Sequence, residues 1–359
     1  MNRLQSGGNL YLKLYKMKYI VTIGIPVYKA VDFINNTLES ALNQTFESIE
    51  YLVVDDCGND GSIDIVERFQ KEHPRGRDIR ILYNHSNSGA GMTRNRILDE
   101  AQGQYIYFLD SDDLIEPDTI SFLVENAIAN QADVVYGSLD MIDLVNGYPT
   151  QSYMLPDVCF LSEDEMAFYA FRNYSSFQIS ICNCLMSIEF LRKSKLRFLD
   201  SAFWEDLAFT YEMVTRVTKA VLLSKITYHY LCRPGSLSHY QDREQLEKSE
   251  IMKNVLTLDY LKEKSMLLRN KSYYPYLFYN LEMNSFYIVC YIMKYYQRII
   301  PMISDSEMCK ILWCPVDIWQ VIQFRHKRLQ NSFLWGLGCL PSFLSLFLVK
   351  LLGKIKQII

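Results

Sequence analysis

Tyr105-Ile106-Tyr107-Phe108-Leu109-Asp110-Ser111-Asp112-Asp113 is an apolar, aromatic-rich run that ends abruptly in three carboxylates. An apolar run of strand length fits a buried strand of a parallel sheet, and carboxylates at its C-terminal end fall where open α/β sheets take their ligands. The D-x-D spacing of Asp110 and Asp112 offers oxygen ligands to a hard divalent ion that keeps its other positions for water and a diphosphate. The same residues also suit an acidic turn or a helix cap, because aspartate favours both.

Outward from this run, the first third of the chain alternates between two periods. Tyr19 to Ile25 reads as a buried strand closed by Pro26, and Ile34, Leu38, Ala41 and Leu42 then recur at helical spacing. Ile49 to Val54 makes a second strand, and Ser62, Ile65, Val66 and Phe69 line a second helix. Ile79 to Tyr83 is a third strand, followed by a helix from Ala90 to Ala101. After the strand over 105–109, Pro117 opens a helix striped by Ile120, Leu123, Val124, Ala127 and Ile128. The order βαβαβαβα predicts an α/β fold with a doubly wound, mostly parallel sheet and right-handed crossovers.

Each strand ends in polar residues: Pro26-Val27-Tyr28-Lys29, Asp55-Asp56 on to Asp60-Gly61-Ser62, Asn87 through Asn95, and the D-x-D. In such a sheet all four ends converge on one edge. The net charge of −4 shows no basic excess, so no nucleic-acid partner is expected. The nine cysteines form no C-x-x-C pair, and Cys182-Asn183-Cys184 is their closest spacing, which suggests a reducing cytoplasm. No basic, apolar and small-residue sequence marks an export signal, and residues 1–16 read as an N-terminal extension before Met17.

In Ile25-Pro26-Val27-Tyr28, Leu42-Asn43-Gln44-Thr45, Val53-Val54-Asp55-Asp56 with Asp60-Gly61-Ser62, Asn87 through Asn95, Phe108 through Asp113 and Trp204-Glu205-Asp206, the chain resembles the family 2 glycosyltransferases of GT-A fold. That group includes many bacterial polysaccharide and cell-wall sugar transferases. Two positions depart from the family pattern: Cys57 stands where glycine is usual, and Thr93 where alanine is frequent. The resemblance implies an inverting, Mg²⁺- or Mn²⁺-dependent transferase. It would move sugar from a nucleotide-sugar, expected to be a UDP-sugar, to a glycan or lipid-linked acceptor in surface polysaccharide synthesis. It also implies a GT-A domain over 17–240, with a nucleotide-binding half to about 130 and an acceptor half over 131–240, then a helical region over 241–330 and a tail over 331–359.

The resemblance further assigns residues. Pro26, Tyr28, Asp55, Asp56, Arg94, Asp110 and Arg233 would form the donor site. Asp112, with Asp110 and His239, would hold the metal, and Asp206 beside Glu205 would be catalytic. A carboxylate at Asp55-Asp56 can accept the N3–H of uracil or the N1–H of guanine, whereas cytosine and adenine carry no ring N–H on that edge. Asp56 is the base contact implied; both acids also suit capping of the turn and helix that follow. Arg94, early in a helix behind a Gly-rich turn, fits phosphate recognition or a solvated helix position. Asp110 would touch the ribose or reach the metal through water, and Asp113 would cap the Pro117 helix region or support its neighbours. Asp206 would be the general base, with an N-cap as the alternative. Arg233 would pair with the diphosphate and His239 would complete the metal site, or both would be exposed loop residues.

Phe333 to Val349 carries no charge across 17 positions but is interrupted by Gly336, Gly338 and Pro341. A spanning helix needs about 20 residues, so the run falls short. Arg325, Lys327 and Arg328 precede it, and Lys350, Lys354 and Lys356 follow. This pattern predicts a tail peripheral to the inner face of the cell membrane, with a packed core helix as the alternative. A reading from another class also stands: a non-catalytic, membrane-associated nucleotide-binding module of a polysaccharide assembly complex.

Overall fold

A computed structural model describes residues 18–144, 148–173, 180–201, 204–232 and 243–359. In chain order the elements are β1 (Val21–Val27), α1 (Ile34–Leu42), β2 (Ile49–Asp55), α2 (Ser62–Glu72), β3 (Ile79–Tyr83), α3 (Ala90–Glu100), β4 (Tyr105–Phe108), β5 (Leu114–Ile115) and α4 (Thr119–Asn130). Next come β6 (Val134–Asp143), β7 (Tyr148–Tyr153), β8 (Val158–Phe160), α5 (Glu165–Arg172), β9 (Cys184–Ser187), α6 (Ile188–Ser194), α7 (Glu205–Val214) and β10 (Ala220–Cys232). Helices α8 (Lys248–Ser265), α9 (Tyr274–Lys294), α10 (Asp305–Ile311), α11 (Ile318–Val321), α12 (Arg328–Leu337) and α13 (Ser342–Ile355) follow.

Contacts divide the chain into two units. The first holds the described residues within 1–163, 178–198 and 216–233, and the second those within 164–177, 199–215 and 234–359. In the first unit one sheet runs β3-β2-β1-β4-β9-β6-β10-β5, with β7 on β6 and β8 on β10. Strands β3, β2, β1 and β4 are mutually parallel, as the alternating periods predicted. Strand β9 is antiparallel to both β4 and β6, and β5 is antiparallel to β10. The mostly parallel α/β sheet is therefore present, with antiparallel strands beyond β4.

Strand β1 continues through Pro26 to Val27 instead of closing at the proline. Its pairing with β4 stops at Gly24, while pairing with β2 continues to Val27. A proline is tolerated where a strand has a neighbour on one side only. Gly24 lets α3 lie close on β1: a Cβ there would sit 2.4 Å from Ile97 Cγ2. Val21, Ile23 and Ile25 of β1, Tyr51 and Val53 of β2 and Tyr107 of β4 join Ile34, Leu38 and Leu42 of α1 in the core.

In the second unit, α8 and α9 pack on each other around a buried ion pair. Lys262 Nζ lies 3.5 Å from Glu282 Oε1 and donates to the carbonyl oxygens of Ile311 and Trp313 at 3.2 and 2.6 Å. Burial raises the Glu282 pKa, and the Lys262 charge opposes that rise. The apolar run over 333–349 breaks into two helices, α12 and α13. At Gly338 a Cβ would stand 2.5 Å from the Leu312 carbonyl oxygen, and Pro341 is the N-cap of α13. Among the described residues no helix is long and apolar enough to cross a membrane.

Candidate active site

The C-terminal ends of β1, β2 and β4 place three sets of side chains along one edge of the first unit. After β1, the Tyr28 ring is 45 % exposed and the Lys29 Nζ lies 5.2 Å from its centroid; Pro26 is half-buried just before it. At the end of β2, half-buried Asp55 accepts from Gly58 N at 3.2 Å. Asp56 is buried, and its Oδ1 accepts from Asn84 Nδ2 at 2.7 Å, Ser88 N at 2.9 Å and Ser88 Oγ at 2.8 Å. Its Oδ2 accepts from Gly89 N at 2.9 Å. One carboxylate thus ties the end of β2 to the loop that follows β3.

The turn before α2 is fixed by a different acid. Asp60 Oδ1 accepts from Ser62 N and Ser62 Oγ at 3.2 and 2.6 Å, and its Oδ2 accepts from Val31 N at 3.0 Å. Cys57 has φ of 60°, a left-handed value that explains why glycine suits that position, and its thiol donates to the Asn84 carbonyl at 3.0 Å.

Arg94 of α3 is buried, and its Nη2 donates to Asp110 Oδ1 at 2.7 Å. It therefore faces the D-x-D and not bulk solvent. Asp110, half-buried, also accepts from the Cys182 thiol at 3.0 Å. Asp112 is half-buried in the same turn. Asp113 is buried; its Oδ2 accepts from the Tyr228 hydroxyl at 2.6 Å and its Oδ1 from Leu231 N at 2.8 Å, which fastens the turn to β10. Burial, with the charges of Asp110 and Asp112 beside it, holds the Asp113 carboxyl well above the usual range. On β10, His229 lies between two acids, with Nδ1 2.6 Å from Asp140 Oδ1 and Nε2 2.9 Å from Glu116 Oε1.

Asp206 and Glu205 belong to the second unit, in the first turn of α7. The N-cap is Trp204, so Asp206 sits inside the helix and does not cap it. Two acids there complement the positive end of the helix dipole. Arg233 and His239 lie outside the described residues.

Among the described residues no group of three or more His, Cys, Asp or Glu side chains could hold a metal ion. Asp110 and Asp112 are two carboxylates, the number with which Mg²⁺ is held beside substrate phosphates in place of an all-protein cage. The donor set thus fits an ion that arrives with a diphosphate. Sequence reasoning missed Cys182 and Asn84 and did not single out Ser88 within the stretch from Asn87 to Asn95; all three touch site acids. Their only signal is position, since the isolated bridge between Phe108 and Cys182 that brings the thiol to Asp110 joins distant segments.

The family model of Glycosyl transferase family 2 matches residues 22–197, and the chain is a member of that family over this stretch. Glycosyltransferase GlyA of Streptococcus pneumoniae is 27 % identical over 258 residues, which cover 70 % of this chain and 35 % of GlyA. The chain thus spans about a third of that relative's length. The UDP-Glc:alpha-D-GlcNAc-diphosphoundecaprenol beta-1,3-glucosyltransferase WfaP of Escherichia coli is 28 % identical over 240 residues, 66 % of this chain and 86 % of WfaP. Among solved structures, S. aureus TarS 1–349 in complex with UDP-GlcNAc matches with a TM-score of 0.64 and 18 % identity over 89 % of this chain and 90 % of TarS 1–349. At that identity the likeness is one of fold: a mostly parallel sheet with flanking helices and a helical C-terminal region.

Proposed function

We propose that this chain is an inverting, metal-assisted glycosyltransferase that moves a sugar from a UDP-sugar to a glycan or lipid-linked acceptor in surface polysaccharide synthesis. The observation that carries the reading is the gathering of Tyr28, Asp56, Asp110 and Asp112 at the ends of adjacent parallel strands in a family 2 member. The names of relatives support it: WfaP is named for UDP-glucose and a diphosphoundecaprenol-linked acceptor, and TarS was crystallised with UDP-GlcNAc.

In this reading the exposed Tyr28 ring stacks on the base beside Pro26, a contact worth about 1–3 kcal/mol. Asp56 Oδ2, with Gly89 N as its protein donor, accepts the uracil N3–H, and Asp55 flanks it. Asp110 meets the ribose, held in place by Arg94, which acts through Asp110 as a positioning residue. Asp112, with Asp110 through water and His239, would hold Mg²⁺ or Mn²⁺, and Arg233 would pair with the diphosphate. When bound, such an ion supplies charge neutralisation for the departing nucleoside diphosphate. Asp206 removes the acceptor hydroxyl proton as that oxygen attacks the anomeric carbon, and Glu205 supports it in the same turn. A single base opposite the leaving group implies inversion, so an α-linked donor gives a β-linked product. The chain would work at the inner face of the cell membrane, beside its acceptor.

The test is UDP release from UDP-glucose and UDP-GlcNAc in the presence of lipid-linked acceptors. Asp206→Asn should lower transfer by about 10²-fold or more while UDP binding is retained. Transfer at the wild-type rate by that variant would overturn the assignment of the base.

A further inference from the structure

The last 42 residues, 318–359, contain no Asp or Glu but six Lys or Arg: Arg325, Lys327, Arg328, Lys350, Lys354 and Lys356. The whole chain carries −4, so the remainder carries −10 against +6 in this segment. An acidic body thus ends in a purely cationic segment, and that segment is also where exposed apolar side chains collect.

Helix α13 divides into two faces. Ser345, Leu346, Val349 and Gly353 are buried against the rest of the unit, where α13 contacts α9, α10 and α12. Phe343, Phe347, Leu351 and Ile355 are 77, 61, 45 and 67 % exposed. Residues four apart on a helix advance by about 40°, so these four lie on one stripe about 120° wide. Lys350 and Lys354, both exposed, lie on the same face. On α12, Leu329 and Phe333 are exposed four residues apart. A solvated helix face does not need two phenylalanines, a leucine and an isoleucine, and such patches mark interaction surfaces.

We infer that the exposed face of α13 docks on an anionic lipid surface, with Phe343, Phe347, Leu351 and Ile355 entering the boundary between headgroups and acyl chains. Charge complementarity selects this occupant. A helix with lysines interleaved among large apolar residues, and no acid within the last 42 residues, matches a negatively charged leaflet. Lysine stems can lie along the apolar layer while their ammonium groups reach the phosphates. A 14-residue helix is about 21 Å long, short of the roughly 30 Å hydrocarbon core, so α13 lies on the membrane and does not cross it. The inference rests on the membrane placement proposed above and not on the transfer chemistry.

The experiment is co-sedimentation of the full chain with vesicles of phosphatidylcholine alone, and of phosphatidylcholine with phosphatidylglycerol. Wild type should bind the anionic vesicles at least about tenfold more tightly than the neutral ones, and added salt should weaken that binding. Phe343→Ser with Phe347→Ser, and separately Lys350→Glu with Lys354→Glu, should each lower binding by about tenfold or more. All four side chains are exposed, and an unchanged urea midpoint with unchanged UDP binding shows that fold and donor site persist. Equal binding by wild type and both double variants would overturn the inference, as would no binding to either vesicle. Self-association of wild type that the Phe343→Ser, Phe347→Ser variant abolishes, without vesicle binding, would assign the face to a second copy and also overturn it.

Discussion

Asp56→Asn keeps the shape of a buried side chain and changes what it can accept. The carboxylate takes four donors, three on Oδ1 from Asn84 and Ser88 and one on Oδ2 from Gly89. An asparagine has one acceptor oxygen, so whichever way it is turned its NH₂ meets a donor. The less costly orientation sets the NH₂ against Gly89 N and leaves three bonds on a neutral oxygen. Bonds to a charged group contribute about 1.5–3 kcal/mol and neutral ones about 0.5–1.5, so three weakened bonds and one lost bond amount to roughly 6 kcal/mol. Ser88 is exposed and Gly89 half-buried, so water recovers part of this, and a net cost of about 3 kcal/mol is expected. If that cost falls on placement of the loop under the nucleotide, affinity for UDP drops by about 10²-fold. Calorimetry reads the affinity, and hydrogen exchange at Ser88 and Gly89 reads the loop. A raised Kd with both amides still protected would refute the loop-holding argument, and an unchanged Kd would refute the base contact as well.

Other perturbations have definite signs. Lys262→Met leaves Glu282 buried without its partner and should cost about 3–5 kcal/mol in urea unfolding, whereas Lys262→Met with Glu282→Leu should cost less than half of that. Asp113 has a folded-state pKa raised by burial and by Asp110 and Asp112. Its contribution to stability is therefore complete below the unfolded pKa of about 3.9 and is lost as pH rises through the folded value. Urea midpoints of wild type relative to Asp113→Asn should fall as pH rises through that window; a pH-independent difference would contradict the raised pKa. Gly24→Val would drive a side chain into Ile97 of α3 and should cost about 1–3 kcal/mol or more, read as a lower thermal midpoint.

The parallel half of the sheet is legible because β1, β2 and β4 are buried on both faces, which forces continuous apolar runs, and because α1 and α4 present stripes at helical spacing. Less legible is whatever depends on pairing between distant segments. Leu114–Ile115 becomes a strand because it lies against Tyr228 and His229, and no local period marks two residues. Cys184–Ser187 is inserted between β4 and β6, a placement set by its neighbours. Helices α5 and α7 group with the C-terminal helices although they lie before residue 240 in the chain, and contiguity in sequence carries no sign of that. At the site, the carboxylates were readable from strand-end chemistry. Which donors surround them was not, because Asn84, Ser88, Arg94 and Cys182 reach Asp56 and Asp110 only after the sheet has assembled. The turn acid illustrates the limit: capping chemistry allows Asp55 and Asp56 to hold the turn that follows, whereas the acid that binds Ser62 is Asp60 and Asp55 takes Gly58 N.

The central claim is that the edge formed by Tyr28, Asp56, Asp110 and Asp112 binds a nucleoside diphosphate together with a divalent ion. Calorimetric titration of UDP and GDP, with and without Mn²⁺, into wild type and Asp112→Ala tests it most directly. The account predicts UDP binding that requires Mn²⁺ and is lost in Asp112→Ala. Wild-type protein that binds neither nucleotide under any of these conditions would contradict it.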